Sequence, residues 1–135
     1  MKAGEYYIGD LCYVMNDQEW DEVMDLLFDE NGGFKDGEYT FSDGRRFAIY
    51  STAYGDGVYH TSIGGSCSVD AGSIGCILKS DIRTNKYDHI NELGIFHTFD
   101  TDFDTSSEKT KEYSEEYGVE YSTKVLRFGN VEVYT

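Results

Sequence analysis

The sequence predicts an α+β fold in which a bent, mostly antiparallel sheet of about 6–8 short strands carries one firm helix and a short late helix. One segment, residues 16–30, shows strong helical periodicity. Short alternating segments recur between turn signals along most of the remaining chain. The 15 glycines suit the turns and bulges of a strongly bent sheet. No repeat or linker interrupts the sequence, so we expect residues 1–135 to form a single domain.

The firm helix is predicted over residues 16–30. Asn16 can cap it, and Glu19 three residues later completes a capping box. Apolar side chains then recur at helical spacing and form one stripe, which consists of Trp20, Val23, Met24, Leu27 and Phe28. Residues 31–33 (Asn-Gly-Gly) offer a left-handed residue that would end the helix.

Strand signals occupy much of the rest of the chain. The predicted strands lie within residues 5–14, 38–42, 45–54, 58–62, 66–78, 94–104, 119–128 and 131–134. Residues 42–44 (Ser-Asp-Gly) and 129–130 (Gly-Asn) favour tight hairpin turns, because glycine and asparagine tolerate positive φ. Residues 80–93 are expected to be loop with a short helical turn.

The late helix is predicted over residues 106–117. Thr105 and Glu108 have the spacing of a capping box, and Gly118 would end the helix.

The chain is strongly acidic. It has 26 Asp and Glu residues against 11 Lys and Arg, a net charge of −15 and a pI near 4.3. Such a surface repels nucleic acid and anionic membranes and attracts basic proteins. The alternative interpretation is that the acidity only keeps the protein soluble. No apolar run is long enough to span a membrane, and the N-terminus lacks the apolar stretch of a secretory signal. We therefore expect a cytoplasmic chain with reduced cysteines.

Two segments hold most of this charge. Residues 17–30 contain seven acidic residues and no basic one, and residues 98–121 contain eight acidic residues against two lysines. In the first segment, aspartates recur every fourth residue, so their carboxylates would repeat about every 6 Å along a helix. Like charges at this spacing destabilise a helix, which favours a role in binding. The candidate partner-binding residues are Asp21, Glu22, Asp25, Asp29, Asp100, Asp102, Asp104, Glu112, Glu115 and Glu116.

Residues 99–104 (Phe-Asp-Thr-Asp-Phe-Asp) alternate between apolar or neutral and acidic side chains. As a strand, they would place Asp100, Asp102 and Asp104 on one side at a spacing of about 6.7 Å. That spacing is comparable to the spacing of phosphates along a nucleic-acid strand, so the row could occupy a basic groove built for a backbone. A solvated edge strand is the alternative. A calcium loop is disfavoured because the glycine and the final glutamate of an EF-hand are missing.

A structural zinc site is a second hypothesis. Asp10 and Cys12 would share one face of a strand and, together with His60 and Cys67, could supply four ligands. The spacing is not that of a known zinc motif, and buried free cysteine is commoner. Apart from zinc, no cofactor is expected.

Sequence signatures of catalysis are absent: the chain contains no GxxxxGK[ST], GxGxxG, HExxH or GxSxG motif. We therefore expect a protein that is not an enzyme. The remaining alternative is a hydrolase or ligand-binding module with a pocket around Asp10, Cys12 and Asp56.

Three stretches stand out together: YYIGDLCYVM at 6–15, STAYGDGVY at 51–59 and VDAGSIG at 69–75. They resemble a group of small, largely uncharacterised bacterial and bacteriophage proteins that open with a YxIGDPCYV-type motif, although Leu11 stands where those proteins often have Pro. The resemblance implies an α+β fold and no known activity. The matching residues, which could be structural through Asp-capped turns, are Gly9, Asp10, Cys12, Tyr13, Tyr54, Gly55, Asp56, Gly57, Asp70 and Gly72.

More loosely, a short acidic chain without enzyme motifs is similar to phage anti-CRISPR proteins, some of which block Cas9 by occupying its basic nucleic-acid channel. This similarity rests on size and charge, and no residue motif carries it. It implies a phage-encoded inhibitor in the host cytoplasm whose partner is a basic nucleic-acid-binding protein such as Cas9. Direct binding to nucleic acid or to a membrane is not expected.

Overall fold

The structure, a computed structural model, describes residues 1–84 and 87–135. The described residues form ten antiparallel strands, so the sheet structure that the sequence predicted is present and the chain is richer in strands than expected. The elements are β1 (Gly4–Gly9), α1 (Asp17–Leu27), β2 (Gly37–Thr40), β3 (Arg46–Ser51), β4 (Gly57–His60), β5 (Ser66–Val69), β6 (Ser73–Leu78), α2 (Ile90–Leu93), β7 (Ile95–Phe99), β8 (Thr105–Ser114), β9 (Val119–Phe128) and β10 (Val131–Tyr134).

The central sheet has five strands in the order β2-β3-β6-β1-β7. Both of its faces are buried, because successive residues of β1 enter two different apolar clusters. Tyr6 and Ile8 pack with Phe128 and other residues of a second sheet, β10-β9-β8. Tyr7 points to the opposite side and packs in the cluster that contains Leu27 of α1. The sheet is thus covered by α1 on one face and by the second sheet on the other.

The predicted helix is confirmed, with a shorter C-terminal end. The Asn16 side chain accepts a hydrogen bond from the Glu19 N–H at 2.8 Å, and the Glu19 carboxylate accepts one from the Asn16 N–H at 3.1 Å. The helix ends at Leu27 because Phe28 turns extended and forms an isolated β-bridge with Phe34. The glycines after Asn31 therefore serve the turn between the two phenylalanines and do not cap the helix.

The first predicted strand, 5–14, is also shorter than expected. β1 ends at Gly9, and Leu11–Val14 form a 3-10 turn. The Asp10 side chain caps this turn by accepting a hydrogen bond from the Cys12 N–H. Asp10 and Cys12 therefore do not share the face of a strand.

The prediction of a late helix over 106–117 is wrong. Residues Thr105–Ser114 form strand β8, which pairs with β9 over ten residue pairs. The Thr-x-x-Glu pattern is a local signal of a helix start, and pairing with a distant strand overrides it. Gly118 has a φ of 64° and lies in the turn of this hairpin, where it does not end a helix.

The prediction that residues 100–104 continue a strand is also wrong. β7 ends at Phe99, and the chain then turns so that the rings of Phe99 and Phe103 stack with their centroids 3.8 Å apart. In an extended strand, residues four apart would be separated by about 13 Å. The three aspartates of this segment therefore do not form a regular row. The hairpins around 42–44 and 129–130 are confirmed.

Replacing Asn16 with Ala should lower the free energy of unfolding by about 1 kcal/mol, because the Glu19 N–H loses its acceptor at the start of α1. Urea unfolding followed by the fluorescence of Trp20 measures the change. Asn31→Ala is the matched control, since Asn31 is exposed in the turn after the helix. It should stay within about 0.5 kcal/mol of the original protein. An equal loss in both variants would contradict the role of the cap.

Candidate functional site

A buried group of hydrogen bonds, which we call the bracket, forms around Asp10 of the YYIGDLCYVM stretch. Asp10 is fully buried, and its two carboxylate oxygens accept three backbone hydrogen bonds. One comes from Cys12 at 3.0 Å, and the others come from Asp70 at 2.8 Å and Ala71 at 2.7 Å. The bracket thereby ties the end of β1 to the turn between β5 and β6. Three N–H donors are what a buried carboxylate requires to remain stable.

Tyr13 adds a side-chain hydrogen bond to the bracket. Its hydroxyl donates a hydrogen bond of 2.6 Å to the carboxylate of Asp70. Burial of the ring and the hydrogen bond to Asp70 raise the pKa of the Tyr13 hydroxyl, so the group stays protonated at neutral pH. The bracket therefore holds the fold together, in agreement with the structural role that the resemblance allowed for these aspartates.

The four zinc candidates are placed in different environments. The Asp10 oxygens face backbone N–H groups, Cys12 is partly buried, and His60 is exposed at the end of β4. The Cys67 thiol is buried and donates to the Ile8 carbonyl oxygen at 3.5 Å. Within residues 1–84 and 87–135, no group of three or more His, Cys, Asp or Glu side chains could hold a metal ion.

Burial controls the chemistry of two of the three thiols. It raises the pKa of Cys67 to about 12, and it also raises the pKa of Cys76 to about 12. Thiols with such a pKa are protonated at neutral pH, and only the thiolate binds metal or attacks an electrophile. The predicted pocket around Asp10, Cys12 and Asp56 is disfavoured for another reason. Asp10 is fully buried, whereas Asp56 is exposed in a turn.

Asp21 and Asp25 are the candidate residues on the acidic surface of α1 that face solvent without an ion pair among the described residues. Both side chains are exposed, and neither forms a salt bridge with any basic residue in the described part of the chain. The other two candidates on this side have local roles. Glu22 accepts a hydrogen bond from the Ser42 N–H, and Asp29 accepts two from the Asn31 and Gly33 N–H groups.

The aspartates after β7 also divide into two kinds. Asp102 accepts a hydrogen bond from the Ala3 N–H at 2.9 Å and lies 3.3 Å from the Lys2 ammonium. These contacts, the backbone hydrogen bond first, lower the pKa of Asp102. Asp100 and Asp104 are exposed and make no salt bridge with the basic residues that the structure describes. The segment offers two separate carboxylates in place of the predicted row.

The third acidic surface is a projecting ribbon. The strands β8 and β9 continue as a pair beyond the end of β10, and we call residues 110–123 the arm. Its outer part, residues 112–121, contains four glutamates and no lysine or arginine, and we call it the tip. Glu115 and Glu116 are exposed in its turn, whereas Glu112 accepts a hydrogen bond of 2.7 Å from the Tyr121 hydroxyl. This bond raises the pKa of Tyr121.

The tip also exposes aromatic side chains that the sequence interpretation did not include. Tyr113, Tyr117 and Tyr121 expose 62%, 74% and 41% of their surface. Their spacing of four residues is also that of one helical stripe, whereas the pairing of β8 and β9 places Tyr113 and Tyr121 on opposite faces of the ribbon. Tyr54, from the STAYGDGVY stretch, donates a hydrogen bond from its hydroxyl to the Ser122 carbonyl oxygen and supports the arm at one point.

Comparison of the chain with protein-family models, with curated proteins and with solved structures found no match. Among the described residues, no helix is long and apolar enough to cross a membrane.

Asp10→Asn should lower the free energy of unfolding by about 2–3 kcal/mol, because the amide group cannot accept from all three N–H donors and leaves a buried donor unsatisfied. Urea unfolding is the measurement. Asp56→Asn changes the same side chain at an exposed position and should have an effect below about 0.5 kcal/mol. Full stability of the Asp10 variant would contradict the bracket.

In the folded protein at pH 8, a thiol reagent such as DTNB should label at most one of the three cysteines, namely the partly buried Cys12. The raised pKa of Cys67 and Cys76 keeps both as thiols far above neutral pH, and their burial excludes the reagent. Cys12→Ser should abolish the labelling, whereas denaturant should expose all remaining thiols. Rapid labelling of three thiols in the folded protein would contradict this arrangement.

Proposed function

We propose that this chain is a non-enzymatic, phage-encoded inhibitor that places carboxylates against a basic groove of a nucleic-acid-binding host protein, with Cas9 as the partner to be tested. The observation that supports it is the set of exposed carboxylates that no described basic residue neutralises. The candidates among them are Asp21, Asp25, Asp100, Asp104, Glu115 and Glu116. Size, net charge and the similarity to anti-CRISPR proteins support the choice of partner.

The use of the basic residues argues against solubility as the sole reason for the acidity. Arg45 is almost completely buried between Glu19 and Asp43, and the buried Lys124 ammonium lies 2.6 Å from Asp36. These cations stabilise the inside of the fold and leave the outer carboxylates without partners. An unpaired acidic surface attracts a basic partner and accelerates encounter with it.

A nucleic-acid channel fits this surface better than a flat basic patch. The six candidate carboxylates named above belong to three elements: α1, the segment after β7, and the arm. Cas9 holds its guide–target duplex in a positively charged channel and recognises it through the backbone. Carboxylates on a protein that reaches into such a channel would occupy the phosphate positions and exclude the nucleic acid.

The binding should be strongly salt-dependent, because screening by salt weakens contacts between exposed charges. We expect the Kd for the Cas9–guide RNA complex, measured by biolayer interferometry, to rise at least about tenfold between 50 and 300 mM NaCl. Absence of binding at 50 mM NaCl, or binding that salt does not change, would reject the proposal.

Double variants that each neutralise two carboxylates distinguish a specific contact from a general effect of net charge. Each of the double variants Asp21→Asn/Asp25→Asn, Asp100→Asn/Asp104→Asn and Glu115→Gln/Glu116→Gln removes two charges, and at least one should raise the Kd about tenfold, or about 1.4 kcal/mol. The control Glu5→Gln/Glu108→Gln removes the same charge from carboxylates that already pair with Lys79 and Arg127. It should change the Kd less than about twofold. Equal effects in all four variants would leave only a general effect of net charge.

A further inference from the structure

The arm is the most exposed part of the described chain that carries aromatic side chains. The backbone of Lys124 pairs with Thr135, and beyond that point the strands β8 and β9 pair only with each other, with the Tyr54 hydroxyl bonded to the Ser122 carbonyl oxygen. Five residue pairs follow, from Thr110 opposite Thr123 to Ser114 opposite Val119. At the rise of an antiparallel strand, they extend about 17 Å beyond the end of β10.

A bare ribbon of this kind is costly. An isolated two-stranded hairpin is marginally stable in water, and exposed tyrosine rings gain nothing from burial. Tyrosine is enriched in interfaces because its ring packs while its hydroxyl stays hydrogen-bonded. Three such rings at the end of a ribbon that has no further described strand beside it indicate that a partner covers the tip.

The negative charge of the tip indicates the chemistry of the partner that would bind it. Residues 112–121 carry four negative charges and no positive one. A second copy of the chain would bring another tip of the same sign, whereas a groove lined with Lys and Arg is complementary to it.

The positions of the tyrosine rings on the tip indicate what shape of groove on the partner would fit it. Residues directly opposite each other in an antiparallel pair lie on the same face of the ribbon, about 4.5–5.5 Å apart. Tyr121 is opposite Glu112, and on the other face Tyr113 is opposite Glu120. Each face of the ribbon therefore presents an aromatic ring beside a carboxylate, and Tyr117 adds a ring at the turn.

We propose that the tip inserts into a channel built for a single nucleic-acid strand, where its tyrosine rings take the stacking positions of bases and its glutamates take the positions of phosphates. This inference rests on the proposed function and specifies the site on the partner. Single-strand channels combine a positively charged groove with surfaces on which bases stack, and the groove for the displaced strand in Cas9 is of this type. A duplex keeps its bases stacked inside, so a site for duplex DNA contacts phosphates and groove edges and has no use for projecting rings. Because both faces of the tip carry the same ring-and-carboxylate pair, a channel that surrounds the ribbon fits it better than a flat surface.

The test is a competition experiment on the Cas9–guide RNA complex with two fluorescein-labelled probes. One probe is a single-stranded oligonucleotide without complementarity to the guide, and the other is a short duplex that contains the PAM. The full-length protein should displace the single strand at concentrations at least tenfold lower than those that displace the duplex.

Variants of the rings test the stacking role. The triple variant Tyr113→Ala/Tyr117→Ala/Tyr121→Ala should displace the single strand at least tenfold less well than the original protein. The triple Phe variant at the same positions keeps the rings and should stay within about threefold, because stacking does not need the hydroxyl. Tyr134→Ala removes an exposed tyrosine of β10 outside the arm and should have no effect. Circular dichroism and urea unfolding establish that each variant is folded.

The possible outcomes separate this inference from the proposed function. If the protein binds Cas9 in a salt-dependent manner but displaces only the duplex, or if the Ala variant competes as well as the original protein, the single-strand channel is wrong and the proposed function stands. If the folded Phe variant loses as much as the Ala variant, the stacking role is wrong. If the protein does not bind Cas9 at all, both proposals fall.

Discussion

The arrangement of this protein depends on the need to cover both faces of its central sheet. Strands β1, β3 and β6 carry large apolar side chains on both sides, and such strands are stable only when two layers cover them. Helix α1 covers one face and the sheet β10-β9-β8 covers the other. This requirement also separates the acidic surfaces, because one lies on α1 and another on the ribbon that continues from the covering sheet.

Charge inside the fold and charge on its surface follow different rules. The buried Asp10 carboxylate is satisfied by backbone donors, and the buried Glu19 and Lys124 are satisfied by ion pairs with Arg45 and Asp36. Such groups are expensive to bury without partners, and Arg45 and Lys124 supply the cations that these two buried sites need. The carboxylates of the outer surfaces are hydrated and need no partner for folding, which leaves them available for binding.

Local sequence signals predicted the elements whose stability is local. The capping box of α1 satisfies its own first turn, and the glycine-containing turns at 42–44 and 129–130 set the geometry of the strands beside them. The prediction of a helix over 106–117 was wrong because a Thr-x-x-Glu pattern is typical of a helix start even where the chain forms a strand. Only pairing with β9 makes this segment a strand. The prediction of a row of three aspartates was wrong because β7 ends at Phe99 and the chain then turns, which places the ring of Phe103 on that of Phe99.

The net charge follows from composition. The clustering of acidic residues, the alternation that makes short strands, and the ends of the elements that carry their own caps or turns could be predicted, because each depends on residues close together in the chain. The directions in which the carboxylates point depend on the tertiary fold. Asp10 joins a turn sixty residues away through Asp70, and the late acidic segment becomes a projecting ribbon because a distant strand pairs with it. Contacts between remote segments leave no short-range pattern, and their energies outweigh the small preferences of the local sequence.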